Sequence, residues 1–455
     1  MTTSGTIIIG GGISGLVAAN RLNKSGVPFL LIDNRDSLGG VLQTHCQSGY
    51  QFEGGPNTLK IDDPVWQRRL LDWGLGKVIQ CANPLAKKRF ILKRGQPEPL
   101  PQSFAKALGT TVFSFPAKIR LLADLFLPRG KDSTESVADF VRRRFGKEFL
   151  DYAINPMVAG IYAGDPEELS LKYSFPKLYA LEKNHRSLLI GGIATIRKKS
   201  KNHKLLKSSL LSFKGGLATL PKTLSNQIHL DSKMNGSVLS VAFESGQWQV
   251  MTKKQTYTSS SLILAVPGNQ WKGIKFPKDW QETVDWVSTR PYPPLSMWAM
   301  GFDRSKVTHP LDGFGMLIPE AEGFSILGVL FSSTLFPNRA PEGKVLLTIF
   351  MGGSRNSEIK EMSSQQRQDI VVKDLQETLR ISGSPEFTKE IYWSQSIPQY
   401  TKDHAMTIAK LNKLEEKYSN LFFAGNIRDG VSVPNCMESG WDVAEKIISL
   451  KAKHQ

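Results

Sequence analysis

The chain has 455 residues, 40% of them hydrophobic and 9% aromatic, which suits folded domains and excludes a disordered polymer. Lysine and arginine outnumber aspartate and glutamate 58 to 41, a formal net charge of +17. That excess suits an anionic membrane surface or an acidic substrate; nucleic acid is the least supported partner, because no recognised binding module is present. Cys46, Cys81 and Cys436 are far apart and form no CxxC pair, which argues for a reducing compartment and against a disulfide framework or a zinc site.

Length gives a prior of about three domains. The first element is the apolar strand Thr6-Ile7-Ile8-Ile9, so close to Met1 that no signal or transit peptide is expected before it. It runs into Gly10-Gly11-Gly12-Ile13-Ser14-Gly15, then into Leu16–Leu22 with helical spacing. A second apolar run, Phe29–Ile32, ends in Asp33 and Asn34. Strand, glycine turn, helix, strand and acid make a dinucleotide-binding unit. Gly10 allows the tight turn, Gly12 admits a pyrophosphate to the backbone, and Gly15 lets helix and strand pack closely. The N–H groups of Ile13 and Ser14 open the helix towards an anion, and Asp33 is placed to accept from a ribose.

Beyond Asp33 come Gly39-Gly40 and then Gly54-Gly55-Pro56-Asn57. A diffusible nicotinamide needs no further glycine loops here. A tightly held flavin does, because more backbone must approach it, so FAD is expected over NAD.

Arg89–Leu92 reads as a strand and Lys93-Arg94-Gly95 as a turn, with Pro97, Pro99 and Pro101 breaking further regularity. From 103 to 201 the texture is helical: Phe104–Leu108, the leucine-rich Pro116–Leu127, and a capped start at Ser133–Phe140. Pro116–Leu127 suits either a core helix or an interfacial one. Arg197–Lys207 is a basic run that suits a solvated loop or membrane phosphates. At Phe213–Gly216 the chain returns to the first domain, with strands at His229–Leu230, Val238–Val241, Trp248–Val250 and Ser261–Val266. A mixed second domain follows from Trp271 to about Thr407. The last unit is the strand Leu421–Phe423, Gly425, the loop Val431-Ser432-Val433 and a helix from Met437 to Leu450. Its N–H groups are placed to face the flavin edge where charge develops on reduction.

No metal cluster, Ser/His/Asp order or GKS/T loop stands out among the side chains, which fits a reaction carried by a cofactor. The segments Val158-Ala159-Gly160, Gly164-Asp165-Pro166 and Gly353-Ser354-Arg355-Asn356, added to the glycine loops, carry a resemblance to a known family. The chain resembles the oxygen-dependent, FAD-containing protoporphyrinogen oxidases of the amine oxidase flavoprotein superfamily, in particular the plant mitochondrial form. Matching segments span nearly all of the sequence.

The resemblance implies an α/β fold with a discontinuous Rossmann-like FAD-binding domain (1–85, 205–270 and 415–455). It implies an inserted mixed α+β substrate domain (86–95 and 271–414) and a helical membrane-associated domain (96–204). It gives Arg89 a substrate propionate to bind, a role that suits a guanidinium fork. It places Leu295 and Leu311 on either side of one pyrrole ring, Phe331 on another, the Gly160 carbonyl near the pyrrole N–H groups, and Val238 against the flavin adenine. Tyr162 and Ala163 depart from the plant sequence, which alters the pocket beside Gly160. The implied reaction is porphyrinogen oxidation with molecular oxygen, yielding hydrogen peroxide. The implied partners are a membrane surface, ferrochelatase and a second copy of the chain. The implied location is the cytoplasmic face of a bacterial membrane, or an organellar membrane for a trimmed eukaryotic protein.

Two rivals share the fold. Coproporphyrinogen III carries four carboxylates instead of two and suits the positive charge. An amine oxidase would show aromatic residues where Val431-Ser432-Val433 stands. A flavin-binding scaffold without activity is disfavoured by the intact cofactor loops.

Overall fold

The computed structural model describes residues 2–101, 109–130, 132, 134–185, 187–192, 205–208 and 210–452. The expected helix at Phe104–Leu108 and most of the basic run after Arg197 lie outside the described residues.

Two seven-stranded sheets organise the molecule. In the first, Thr2–Ile9 is central and parallel to Leu30–Asp33 on one side and Thr256–Leu264 on the other. Lys233–Asn235 and Leu421–Phe423 extend it in parallel, and the hairpin Val238–Glu244/Gln247–Thr252 completes it. A parallel strand covered on both faces needs side chains for both. Ile8 faces one core with Leu16, Leu22 and Met437, while Ile7 and Ile9 face the other with Trp248, Trp271 and Phe423. The two-residue alternation of a strand produces that division.

The second sheet is mainly antiparallel and runs Phe387–Trp393, Leu295–Asp303, Lys344–Gly352, Ile326–Leu330, Gly315–Leu317, Phe90–Lys93, Gln96–Pro99. Its last two strands come from far earlier in the chain, and Phe90–Lys93 pairs in parallel with Gly315–Leu317. Arg94 and Gly95 both have positive φ, the geometry of a tight two-residue hairpin turn. The prolines beyond it do not end the sheet as expected. Gln96–Pro99 is its edge strand, where a missing N–H costs no ladder bond. The helix Ser364–Leu379, opened by a Ser363/Gln366 capping box, buries Val371, Leu375 and Leu379 beneath this sheet.

Other expectations shift. His229–Leu230 is not a strand: a turn closes from Ser232 N–H to the His229 carbonyl, and pairing begins at Lys233. The last helix spans Val433–Ala452 and starts four residues before Met437. Ser432 Oγ accepts the Asn435 N–H at 3.2 Å, and Pro434 is tolerated in a first turn. Trp271, Trp280, Val284, Val287, Leu411 and Leu414 all pack on the first sheet. The chain therefore leaves that core later than residue 271 and rejoins it before 415.

Between the sheets in sequence lie short helices: Phe115–Leu122, Val137–Phe145, Asn155–Tyr162 and Pro176–His185. Phe115–Leu122 buries none of its residues, which excludes a core helix there. Among the described residues, no helix is long and apolar enough to cross a membrane.

Candidate active site

The first glycine turn is built from contacts that only glycine permits. Gly10 has φ +106°, and a Cβ on Gly15 would stand 1.9 Å from the Gly10 carbonyl oxygen, so helix and strand meet backbone to backbone. Gly12 is the opposite case, with no atom within 4 Å of where its Cβ would be. The helix Ile13–Lys24 starts there with no side-chain cap and no acid in its first turn. The amides of Ile13, Ser14 and Gly15 open the helix beside clear space, the donor set that fits a pyrophosphate.

The second glycine turn docks on the first. Gly39 N–H donates to the Gly11 carbonyl at 2.8 Å, and Gly12 and Gly39 form a parallel bridge. Gly40 lies against Gly12, its virtual Cβ 3.2 Å from the Gly12 Cα. Asp33 braces this junction: Oδ2 accepts Gly11 N–H at 2.6 Å, and Oδ1 accepts Arg35 N–H at 2.9 Å. The carboxylate expected at a ribose is thus already bonded to the glycine turn. Asn34 beside it is exposed. Val238 is buried in the first-sheet core, two residues beyond Gly236, whose N–H reaches the Asp33 carbonyl at 2.8 Å.

The third loop joins the segment after the second glycine turn to the second sheet. Gly54 N–H donates to the Gln43 carbonyl at 2.7 Å, and Trp393 Nε1 donates to the Gly54 carbonyl at 3.0 Å. A Cβ on Gly55 would stand 2.3 Å from the Val41 carbonyl oxygen. Past Pro56, Asn57 Nδ2 donates to the Gly55 carbonyl at 3.0 Å. Glu53, just before this loop, is a hub that sequence reasoning missed. It is buried, pairs with Arg339 at 2.8 Å, and accepts from Thr44 Oγ1 at 2.5 Å and Leu217 N–H at 3.1 Å. Burial pushes its carboxyl up, against the pull of Arg339, Thr44 and Leu217.

The C-terminal unit lands on the start of the first helix. A Cβ on Gly440 would stand 2.1 Å from the Ser14 carbonyl oxygen, and one on Gly425 would stand 3.1 Å from Ser14 Oγ. Gly425 N–H donates to Ser439 Oγ at 2.8 Å. Val431, Ser432 and Val433 form the entry to the last helix, beside the buried Cys436, whose thiol burial pushes up to about 12. Tyr400, also missed, holds the intervening loop. Its hydroxyl donates to the Asn426 carbonyl at 2.7 Å and accepts Gly430 N–H at 2.9 Å.

The five expected substrate residues divide into three places. Gly160 is exposed on the helix Asn155–Tyr162, its virtual Cβ 2.9 Å from Leu317 Cδ2. Leu295 packs with Ala159, Ala163, Leu327 and Phe350 on the same surface. Leu311 and Phe331 lie apart from these two. Both are buried in the second-sheet core with Phe90, and Leu311 takes φ +53°, which turns its side chain inward. The Phe331 ring is fully buried, 5.3 Å from His309 and 6.1 Å from Phe90. Half-buried Leu317 is the leucine beside Gly160. Arg89 stands apart, exposed, its guanidinium 5.1 Å over the Phe314 ring and without an acidic partner among the described residues. At the two departures from the plant sequence, Tyr162 is buried and donates to the Ser174 carbonyl at 2.6 Å, and Ala163 adopts φ +49°.

Comparison with known proteins agrees with this geometry. Residues 13–448 match the family model "Flavin containing amine oxidoreductase". The chain is 34% identical to protoporphyrinogen oxidase 2, chloroplastic/mitochondrial, of Arabidopsis thaliana, over 97% of this chain and 93% of that protein. It is 28% identical to the coproporphyrinogen III oxidase of Bacillus subtilis, over 95% and 96%. A solved structure from Exiguobacterium sp. 255-15, provisionally named a protoporphyrinogen oxidase, superposes with a TM-score of 0.81 at 22% identity, covering 99% of each chain. With a family match across most of its length and a protoporphyrinogen oxidase relative along nearly all of it, the chain belongs to the flavin-containing amine oxidoreductases and, among them, to the protoporphyrinogen oxidases.

Proposed function

We propose that the protein oxidises protoporphyrinogen IX to protoporphyrin IX with molecular oxygen, releasing hydrogen peroxide. The observation that carries this reading is the likeness to protoporphyrinogen oxidases over 97% of the chain. When bound, FAD accepts the hydride equivalents and returns them to oxygen. The amides of Ile13–Gly15 would hold its pyrophosphate, Asp33 and Asn34 would serve its ribose, and Val238 would contact its adenine. The loops 54–57 and 425–433 would hold its ring system. Gly160, Leu295 and Leu317 form the wall that orients the apolar macrocycle and excludes water, and Arg89 anchors a propionate.

The proposed layout keeps 1–85, 205–270 and 415–455 with the cofactor. It adds 271–288 and 404–414 to that body, because their apolar side chains pack on the first sheet. Residues 86–99 and 289–403 then form the substrate body. The helices between them attach to a membrane surface, on the cytoplasmic face in a bacterium or in an organelle otherwise. Product passes there to ferrochelatase, and a second copy of the chain is a further partner. A second reading, coproporphyrinogen III oxidation, is favoured by the charge of +17 and by the Bacillus relative.

The test is porphyrin fluorescence in air, with purified holoprotein given each porphyrinogen against an enzyme-free control. Protoporphyrinogen is expected to be preferred, with KM raised roughly tenfold or more in Arg89→Ala, as for a lost charge-assisted pair. Preference for coproporphyrinogen moves the protein to the second reading. No acceleration with either sinks both.

A further inference from the structure

We propose that Asp312 determines which porphyrinogen the protein accepts, by cancelling the charge of Lys88 beside the Arg89 anchor. The inference rests on the reading of Arg89 given above. Three cations, Lys87, Lys88 and Arg89, stand in a row in the chain, and the last two have different fates. Arg89 lies over Phe314 with no acidic partner among the described residues. Lys88 Nζ is 2.6 Å from Asp312 Oδ2, and both side chains are partly exposed.

This pairing is built into the backbone. Phe314 N–H donates to the Lys88 carbonyl at 2.8 Å, and Met316 pairs with Phe90. Gly313 lies so close that a Cβ would stand 2.8 Å from the Lys88 carbonyl oxygen. Asp312 is therefore held against Lys88 by the strand pairing that also places Arg89 over Phe314. The other carboxylate oxygen, Oδ1, is buried and has no hydrogen-bond partner. Burial alone would push the Asp312 carboxyl up; the bond and charge of Lys88 more than reverse this, and the group stays ionised at neutral pH.

Asp312 therefore takes the charge of Lys88 out of the run Lys87-Lys88-Arg89, so that this end carries less positive charge than the sequence supplies. That suits a macrocycle with two carboxylates. A substrate with four would bring a further carboxylate towards a neutralised lysine and a fixed aspartate, and like charges close together disfavour binding. Selectivity here comes from a repulsive element as much as from the arginine.

The experiment compares kcat/KM for protoporphyrinogen and coproporphyrinogen in the wild-type holoenzyme, Asp312→Asn, Asp312→Glu and the double variant Lys88→Gln/Asp312→Asn. Asp312→Asn is expected to raise the coproporphyrinogen-to-protoporphyrinogen ratio about three- to tenfold at low salt, the size of a partly screened charge interaction. The rise should shrink towards nothing near ~0.5 M salt. Asp312→Glu should keep the wild-type ratio, and the double variant should return to it. Bound-flavin absorbance checks that each variant is folded. An equal change for both substrates, or a ratio shift indifferent to salt, overturns the proposal and leaves a local structural ion pair. Failure of Arg89→Ala to affect either substrate removes the anchor reading, and the specificity role with it. Absence of any turnover by the wild type overturns the porphyrinogen reading as well.

Discussion

Glu53 and Arg339 form a buried ion pair, Oε1 to Nη1 at 2.8 Å, with side chains only 2% and 3% exposed. The glutamate precedes the Gly54-Gly55-Pro56 loop, and the arginine belongs to the second-sheet side, where its Nη2 also reaches Ser212 Oγ at 2.8 Å. A pair this deep adds little net stability, but losing one partner leaves the other charged and dry, at about 3–5 kcal/mol. Arg339→Met is therefore expected to lower stability by about that amount and to release flavin. Glu53 without its arginine shifts further towards the neutral acid. A raised folded pKa gives stability that is complete below the unfolded value of about 4.3 and lost as pH rises through the folded one. The Arg339→Met penalty should then be smaller at pH 5 than at pH 8. Urea melts at both values decide it: a loss under about 0.5 kcal/mol at pH 8 would sink the hub.

Gly12 and Gly440 separate cofactor contact from packing. Gly12 has φ −67° and open space where its Cβ would be, so alanine fits the apoprotein without strain. Gly12→Ala should leave the Tm of the apoprotein within about 2 °C of wild type while weakening FAD retention at least tenfold, because the methyl group occupies the pyrophosphate approach. Gly440→Ala drives a methyl group into the Ser14 carbonyl and should lower both the apoprotein Tm and flavin content. Differential scanning fluorimetry and flavin titration of the two apoproteins give four numbers. Parallel behaviour in both variants would mean that Gly12 is only a turn residue.

The sequence shows the cofactor cradle because its parts are local. Gly10 to Asp33 carries strand, turn, helix and acid within one unit, and each glycine has a reason visible in its neighbours. What stayed hidden depends on distant chain. Glu53 reads as an acid in a short strand until Arg339 and Leu217 are folded around it, and Tyr400 gives no sign that it clamps the 426–430 loop. The strand at Gln96–Pro99 was obscured by prolines, which only an edge position accommodates. Leu311 and Leu317 are two leucines flanking one glycine-rich stretch. The left-handed turn at Leu311 sends it inward and leaves Leu317 beside Gly160, and no local pattern announces that turn.

His404 makes the same clamp sensitive to acid. Its ring stacks on Tyr400 at 4.0 Å and meets the edge of Tyr173 at 5.0 Å, and its Nε2 is buried without a partner. Burial pushes its pKa down to about 4, with Asp403 opposing. A depressed folded pKa contributes stability that is present above the unfolded value near 6.5 and lost as pH falls through about 4. The loss over that window is about 3 kcal/mol. His404→Phe keeps an aromatic ring at the stack and removes the titration. Its stability should fall less than that of wild type between pH 7 and pH 4.5, and flavin release on acidification should lessen with it. Identical acid profiles for the two proteins would assign the sensitivity to other groups.

The helix Phe115–Leu122 presents apolar side chains that are exposed among the described residues. Phe115 is 75% exposed, Ile119 53% and Leu122 41%, with Lys118 and Arg120 on the same helix. Scattered apolar side chains need no explanation, but a run on one short helix beside cations is the composition of an interfacial anchor. Fully burying one such side chain is worth about 1.5–3 kcal/mol. Phe115→Ser/Ile119→Ser should therefore weaken vesicle binding roughly tenfold to a hundredfold, allowing for partial insertion, with little change in Tm. Lys118→Gln should weaken binding to anionic vesicles only, and less as salt rises. Co-sedimentation with neutral and anionic vesicles separates these terms. Binding unaffected by the double serine variant would move the membrane contact elsewhere on the surface, and binding by neither wild type nor variant would remove it.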